Sequence, residues 1–185
     1  MKNPYIAIVG THSSGKSVLC KALQPHIDNL FGKSILITGV SRFVHSEYKL
    51  PINEKATVDT QYAIEKVYDL VEKLYMGFPR LADRTIIDRY AYTLANNLPL
   101  KDYYETLLPI KLSLYNKIFY LPIEFNLVKD GVRSEDTAYR KKIDEIIQEI
   151  LNKHGIEYYE LNGSVKQRVV DALAIIGYKK EEVAL

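Results

Sequence analysis

Apolar positions along the chain switch repeatedly between a strand-like run and a helical period. Tyr5–Val9 (YIAIV) is a short apolar run between Pro4 and Gly10, which predicts a buried strand. From Lys16 to about Leu30 the pattern is helical, and Ser34–Val40 (SILITGV) predicts a second strand. Between about Glu54 and Met76, the residues Ala63, Val67, Leu70, Val71 and Leu74 fall at helical spacing, and Gly77 and Pro79 close the run. Thr85–Asp88 (TIID) predicts a third strand. Residues 102–117 read as helix, with Pro109 either kinking it or opening a second one. Ile118–Pro122 (IFYLP) predicts the fourth strand. Over Asp136–Lys153 a stripe of Ile143, Ile146, Ile147, Ile150 and Leu151 predicts a helix that Gly155 stops. Ile156–Leu161 (IEYYEL) predicts a fifth strand. Ser164–Ile176 predicts a last helix, with Val165, Val169, Ala172, Leu173 and Ile176 on one face and Ser164 as its cap.

Strands that alternate with helices make βαβ units. Right-handed crossovers then give a five-stranded parallel sheet with helices on both faces, an α/β fold. Ligands of such sheets sit at the carboxyl ends of the strands. The chemistry is therefore expected just after Val9, Val40, Ile87, Pro122 and Leu161.

The length of 185 residues suits one domain, read as 1–185, whose core closes without staples. A composition 47% hydrophobic and 26% charged excludes a disordered tail or a collagen-like rod. No apolar run is long enough to predict a membrane span. The single Cys20 makes neither an internal disulfide nor a zinc site, which together favours a cytoplasmic setting. The net charge is +2, and the first 53 residues carry six Lys or Arg against Asp28 and Glu47. That bias suits an anionic small molecule and is weak for a DNA-binding domain.

After the first strand stands Gly10-Thr11-His12-Ser13-Ser14-Gly15-Lys16-Ser17, which fits G-x-x-x-x-G-K-[ST]. The glycines let successive backbone N–H groups converge on phosphate oxygens, and the helix starting at Lys16 aims its positive end at the same anion. Lys16 supplies a charge for the β- and γ-phosphates, and the Ser17 hydroxyl a ligand for Mg²⁺. The expected cradle is Gly10 to Ser17 with the adjoining Val18, His12 being a loop position rather than a catalyst. The expected cofactors are ATP and Mg²⁺.

A GTPase would need Asp-x-x-Gly and Asn-Lys-x-Asp, and neither is present. A hydrolysing ATPase would usually carry a glutamate beside its metal-site aspartate, whereas Asp88 is followed by Arg89. Thr85-Ile86-Ile87-Asp88-Arg89-Tyr90 resembles the D-R-[YH] motif of thymidylate kinases and related nucleoside kinases. The resemblance implies Asp88 near the Mg²⁺ and the reacting phosphates, supporting the metal or taking a proton, with Arg89 on phosphate. Gly39-Val40-Ser41-Arg42-Phe43 is similar to a reduced form of that family's T-R-E-P acceptor loop, keeping Arg42 without the Glu and Pro.

Asp130-Gly131-Val132-Arg133, followed by Tyr139-Arg140, stands where adenylate-kinase-like enzymes carry a lid, here about 125–140. Arg140 lies on the apolar stripe of its helix, and a buried Arg needs an anion or a carboxylate. With Leu161-Asn162-Gly163-Ser164, these features also resemble the ribosylnicotinamide-kinase-like domain and phage-type P-loop kinases. By that resemblance Gly163 lies against the nucleotide base. Tyr62, Tyr90 and Tyr92 flank the expected acceptor pocket and could stack on a base.

These features imply an adenylate/thymidylate-kinase-like P-loop NTPase fold with a short lid. The implied activity is transfer of the γ-phosphate of ATP to a nucleoside, nucleotide or nucleoside-like acceptor. Lys16, Asp88, Arg89, Arg133 and Arg140 are the catalytic candidates, Ser17 and Asp88 the metal ligands, and Arg42 with the three tyrosines the acceptor site. A hydroxyl acceptor would need a carboxylate base, Asp88 first and Glu47 second. The alternatives are a polynucleotide kinase, with DNA as acceptor, and an ATP-binding regulator without transfer. A homodimer is left open.

Overall fold

The computed structural model describes residues 3–127 and 134–177. The elements run β1 (Tyr5–Val9), α1 (Lys16–Phe31), β2 (Ile35–Ile37), α2 (Val40–Tyr48), α3 (Val58–Leu74), β3 (Arg80–Asp83), α4 (Ile86–Ala95), α5 (Lys101–Leu112), β4 (Lys117–Tyr120), α6 (Thr137–Lys153), β5 (Tyr159–Glu160) and α7 (Val165–Ile176). The strands form one parallel sheet in the order β2-β3-β1-β4-β5. The expected α/β fold, with its five-stranded parallel sheet and helices on both faces, is therefore present. β1 lies at the centre, and every one of its residues is buried.

That burial follows from alternation across a sheet covered on both faces. Ile6 and Ile8 point to one face, where they meet Leu19, Leu23 and Ile27 of α1 and Val169, Ala172 and Leu173 of α7. Ala7 and Val9 point to the other, against α4, α5 and α6. Tyr5 and Ala82 continue towards α2 and α3, with Val44, Ile64 and Tyr68. The central strand thus fixes where the loop after Val9 emerges. No helix among the described residues is long and apolar enough to cross a membrane.

The helices over 137–153 and 165–176 begin where their caps predict. Asp136 accepts from the N–H groups of Ala138 and Tyr139, and Ser164 from that of Gln167. The third strand is different. It is Arg80–Asp83, while Thr85 caps α4 and Asp88 closes a capping box with it. Ile86 and Ile87 look β-like, but a Thr followed three residues later by an Asp offers the backbone a helix start, and that local chemistry wins. Likewise Val40 opens α2 rather than ending β2, after Gly39 turns the chain at φ 73°. Residues 128–133, with Arg133 and much of the expected lid, lie outside the described residues.

Leu23 is fully buried between α1 and the sheet. Leu23→Ala should lower the unfolding free energy by about 2–5 kcal/mol. Urea denaturation measures it, and a loss well below that range would mean this face is not the packed core described.

Candidate functional site

The loop 10–15 leaves the centre of the sheet and ends on Gly15, which sits at φ 93° as the cap of α1. Gly10 cannot be another residue without a clash, because a Cβ there would lie 2.6 Å from the Leu121 carbonyl oxygen. Lys16, in the first turn of α1, turns back so that Nζ donates to the Thr11 carbonyl at 2.5 Å and to Ser14 Oγ at 3.4 Å. The loop opens on a cleft of about 570 Å³ bounded by α1, α2, α3, β3 and α4. His12, Ser13, Gly15, Lys16, Ser17, Val18, Arg42, Arg89 and Tyr92 all line it. The structure therefore brings together most of the predicted loop with two of the predicted arginines and one tyrosine.

Asp88 is not at a strand end and does not line the cleft. Its carboxylate is fully buried and already holds three donors: Gly10 N–H at 3.2 Å on Oδ1, and Thr85 N–H at 2.7 Å and Thr85 Oγ at 3.0 Å on Oδ2. Its pKa is raised by burial, which outweighs the opposing pull of Lys16, Arg84 and the N–H groups of Thr85 and Gly10. The acid at the strand end is Asp83, which pairs in register with Ile8 of β1. It accepts hydrogen bonds from Ser17 Oγ and, at 3.0 Å, from Thr38 Oγ. The chain carries Asp-Arg twice, at 83–84 and 88–89, and the first pair occupies the position expected of the second.

Arg89 lies one-helix-turn-matched with Tyr92 on α4, so both face the cleft, while Tyr90 points elsewhere. Tyr90 is buried, stacked on Tyr104 and donating to Glu105 at 2.7 Å. On α3 the cleft-facing positions are Thr60, Gln61, Ile64 and Tyr68, and the intervening Tyr62 turns outward against Tyr103. Helical phase thus removes two of the three predicted tyrosines. Arg89 Nε donates to Glu65 at 2.5 Å and the guanidinium lies 4.0 Å over the Tyr68 ring. Its two terminal nitrogens are buried without a hydrogen-bond partner at the cleft wall. Arg84 adds a second cation, donating to the Tyr92 hydroxyl at 3.3 Å, and that hydroxyl is 3.1 Å from His12 Nδ1.

Arg140 is buried as its place on the stripe implies, and among the described residues its hydrogen bonds go to backbone carbonyls, with the Asp144 carboxylate near enough to favour its charge. Its guanidinium donates to the carbonyls of His12, Ser13 and Phe125 at 3.0, 3.1 and 2.9 Å. The N–H of Gly163 donates to Glu124 at 2.8 Å, outside the cleft lining. Asp83, Arg84, Glu124 and Arg168 were not singled out in the sequence. For Asp83 the Thr85-x-x-Asp88 box was the available signal, since it turns the second Asp-Arg into a helix start. No three His, Cys, Asp or Glu cluster to hold a metal among the described residues. The hard oxygens of Ser17 and Asp83 nevertheless suit Mg²⁺, which takes few protein ligands and keeps phosphate and water for the rest.

Asp88→Asn should destabilise the fold by about 1–3 kcal/mol, because an amide N–H₂ would confront N–H or O–H donors. Chemical denaturation checks this, and unchanged stability would mean the carboxylate is not the internal tie described.

The model of the AAA domain family matches residues 5–168. No curated protein matches the chain. Among solved structures, thymidylate kinase from Candida albicans is similar with a TM-score of 0.69 and 21% identity, over 95% of this chain and 91% of that one. A NadR protein solved with NAD and AMP-PNP gives 0.72 and 15%, over 99% of this chain and 52% of that one, so the chain spans about half its length. Deoxyadenosine kinase from M. mycoides, solved with dCMP and dCDP, gives 0.64 and 15%, over 93% and 98%. At these identities the likeness concerns the fold. With its phosphate-type loop at the centre of a parallel sheet, the chain belongs to the AAA domain family.

Proposed function

We propose that the protein is an ATP-dependent phosphotransferase whose acceptor is a small nucleotide-like molecule carrying a phosphate of its own. The observation behind this is the charge of the cleft: Lys16, Lys21, Arg42, Arg84 and Arg89 line it, with Asp83 as the acid among its described lining residues. A triphosphate donor accounts for Lys16 and the loop amides. Arg89, held over Tyr68 with two nitrogens to spare, and Arg84 then await a second anion.

Lys16 and the N–H groups of the loop hold the donor phosphates, assisted by the N-terminal end of α1. Ser17 and Asp83 would hold Mg²⁺, which would neutralise charge on the phosphates. Arg89 and Arg84 orient the acceptor phosphate and stabilise charge on the transferring group. Arg42 stands at the mouth on α2, and Tyr92 with Gln61 and Ile64 forms the wall beyond. Arg133 belongs to this reading only as an expectation from the sequence.

A hydroxyl acceptor would need a carboxylate base in reach, whereas a phosphate acceptor, with its second pKa near 6, is already ionised at pH 7. Asp83 is taken by Ser17 and Thr38, Glu65 lies against Arg89, and Glu47 does not line the cleft. Those placements favour the phosphate acceptor. The names of the similar structures, thymidylate kinase among them, support a kinase of this general class.

The test is transfer of labelled γ-phosphate to nucleosides, nucleoside monophosphates, nicotinamide riboside and oligonucleotides. Labelling of a monophosphate is the expected result. Labelling of nucleosides alone would move the acceptor to the hydroxyl class, and of oligonucleotides alone to DNA. No transfer by protein that binds ATP would make it a regulator. Lys16→Ala should keep less than about a tenth of the rate. Asp83→Asn should lower kcat by about a hundredfold or more, partly restored by added Mg²⁺. A normal kcat in Asp83→Asn would remove that residue from the site.

A further inference from the structure

Two buried arginines that do not line the cleft grip the phosphate loop from behind. Arg140, in the first turn of α6, takes the carbonyls of His12 and Ser13 at 3.0 and 3.1 Å. Arg168, in the first turn of α7, takes the carbonyl of Ser14 at 2.8 Å. Its other terminal nitrogen pairs with Glu124 at 2.5 Å, and the guanidinium lies 4.8 Å from the centre of the Phe125 ring. Glu124 also accepts from the N–H of Gly163, and these two donors, Arg168 first, hold its pKa below the usual carboxylate range. Three consecutive carbonyls of the loop are thus captured by cations.

A peptide unit is planar and trans, so its N–H points opposite to its C=O. Fixing the carbonyls of residues 12, 13 and 14 on the rear therefore directs the N–H groups of Ser13, Ser14 and Gly15 forward. Ser13 and Gly15 are at the cleft surface. An unrestrained loop of this composition would have many conformations, and inward-facing amides would be a small part of them. Two of the chain's seven arginines are spent on this grip. A guanidinium fits the task because one rigid fork reaches two acceptors at once, which an ammonium on a flexible stem does less well. Burial lowers the pKa of Arg140, with the nearby Asp144 carboxylate acting in the opposite sense.

We infer that Arg140 and Arg168 are positioning residues for the donor triphosphate, presetting the loop amides, and that Glu124 sets Arg168 in place. This rests on reading the loop as a triphosphate site. Arg140 accordingly acts on the loop, not on the transferring group.

The experiment measures binding of inorganic tripolyphosphate and of AMP-PNP with Mg²⁺ by calorimetry, with melting temperatures and ¹H–¹⁵N spectra of the same proteins. Arg168→Ala should weaken both ligands about tenfold or more, the loss expected for a charge-assisted hydrogen bond, and Arg168→Lys should recover part of it. Glu124→Gln, a change at an exposed position, should weaken them by a smaller factor with little change in melting temperature. In the wild type the amides of Ser13, Ser14 and Gly15 should shift downfield on binding tripolyphosphate, and in Arg168→Ala that response should shrink. If Arg168→Ala does not fold, Glu124→Gln and Arg168→Lys decide by the same readouts. Tight binding and full amide shifts in the folded variants would overturn the inference while leaving the site reading intact. A wild type that binds neither ligand would overturn the site reading and this inference with it.

Discussion

The buried carboxylate of Asp88 is the tie on which the geometry of the site depends. One of its oxygens closes the first turn of α4, and the other holds the N–H of Gly10 where the chain leaves β1. Gly10 is in turn pressed against the Leu121 carbonyl beyond β4. The exits of three neighbouring strands are thereby locked together, and the phosphate loop is launched from that lock in one direction. The tie carries a cost, since burial disfavours the charged carboxylate, and Lys16 and Arg84 offset it. The cations that face the cleft therefore also stabilise the structure that positions them.

Around this tie the protein places its cations in two different ways. At the front, Arg84 and Arg89 present charge directly, each propped against an aromatic ring, Tyr92 and Tyr68. At the back, charge works through the peptide units, by holding oxygens so that nitrogens face forward. On the proposed function, the first would give affinity and orientation for an entering anion, and the second, without touching a ligand, would lower the conformational entropy that binding has to remove.

Much of this was legible in the sequence, and the parts that were not share a physical character. The phosphate loop, the parallel sheet and the two capped helices over 137–153 and 165–176 are written in local spacing, which a single chain displays openly. Asp83 was hidden because a neighbouring Asp-Arg pair sits after a more β-like run, and because capping competes with β propensity over only three residues. Tyr62 and Tyr90 were misplaced because helical phase decides which side of α3 and α4 they occupy, and the start of α4 was unknown. Arg140 could be read as buried, but nothing local says that its partners are carbonyls, two of them 127 and 128 residues away. Glu124 and Arg168 carry no pattern, since their meaning exists only once α7 packs on α1.

The grip of α7 on the loop has a consequence for the order of events during synthesis. Ser14 and Arg168 are 154 residues apart. A ribosome adding about 5–20 residues per second needs roughly 8–30 s to travel from one to the other. Through that interval the nascent chain carries the whole motif that names it a phosphate loop, and the Ser14 carbonyl lacks the Arg168 partner of the folded chain. On the inference drawn above, full competence to hold a nucleotide is acquired late, when α7 arrives, and a ribosome-bound fragment ending before residue 168 would hold the motif with the Arg140 half of its grip and without that of Arg168.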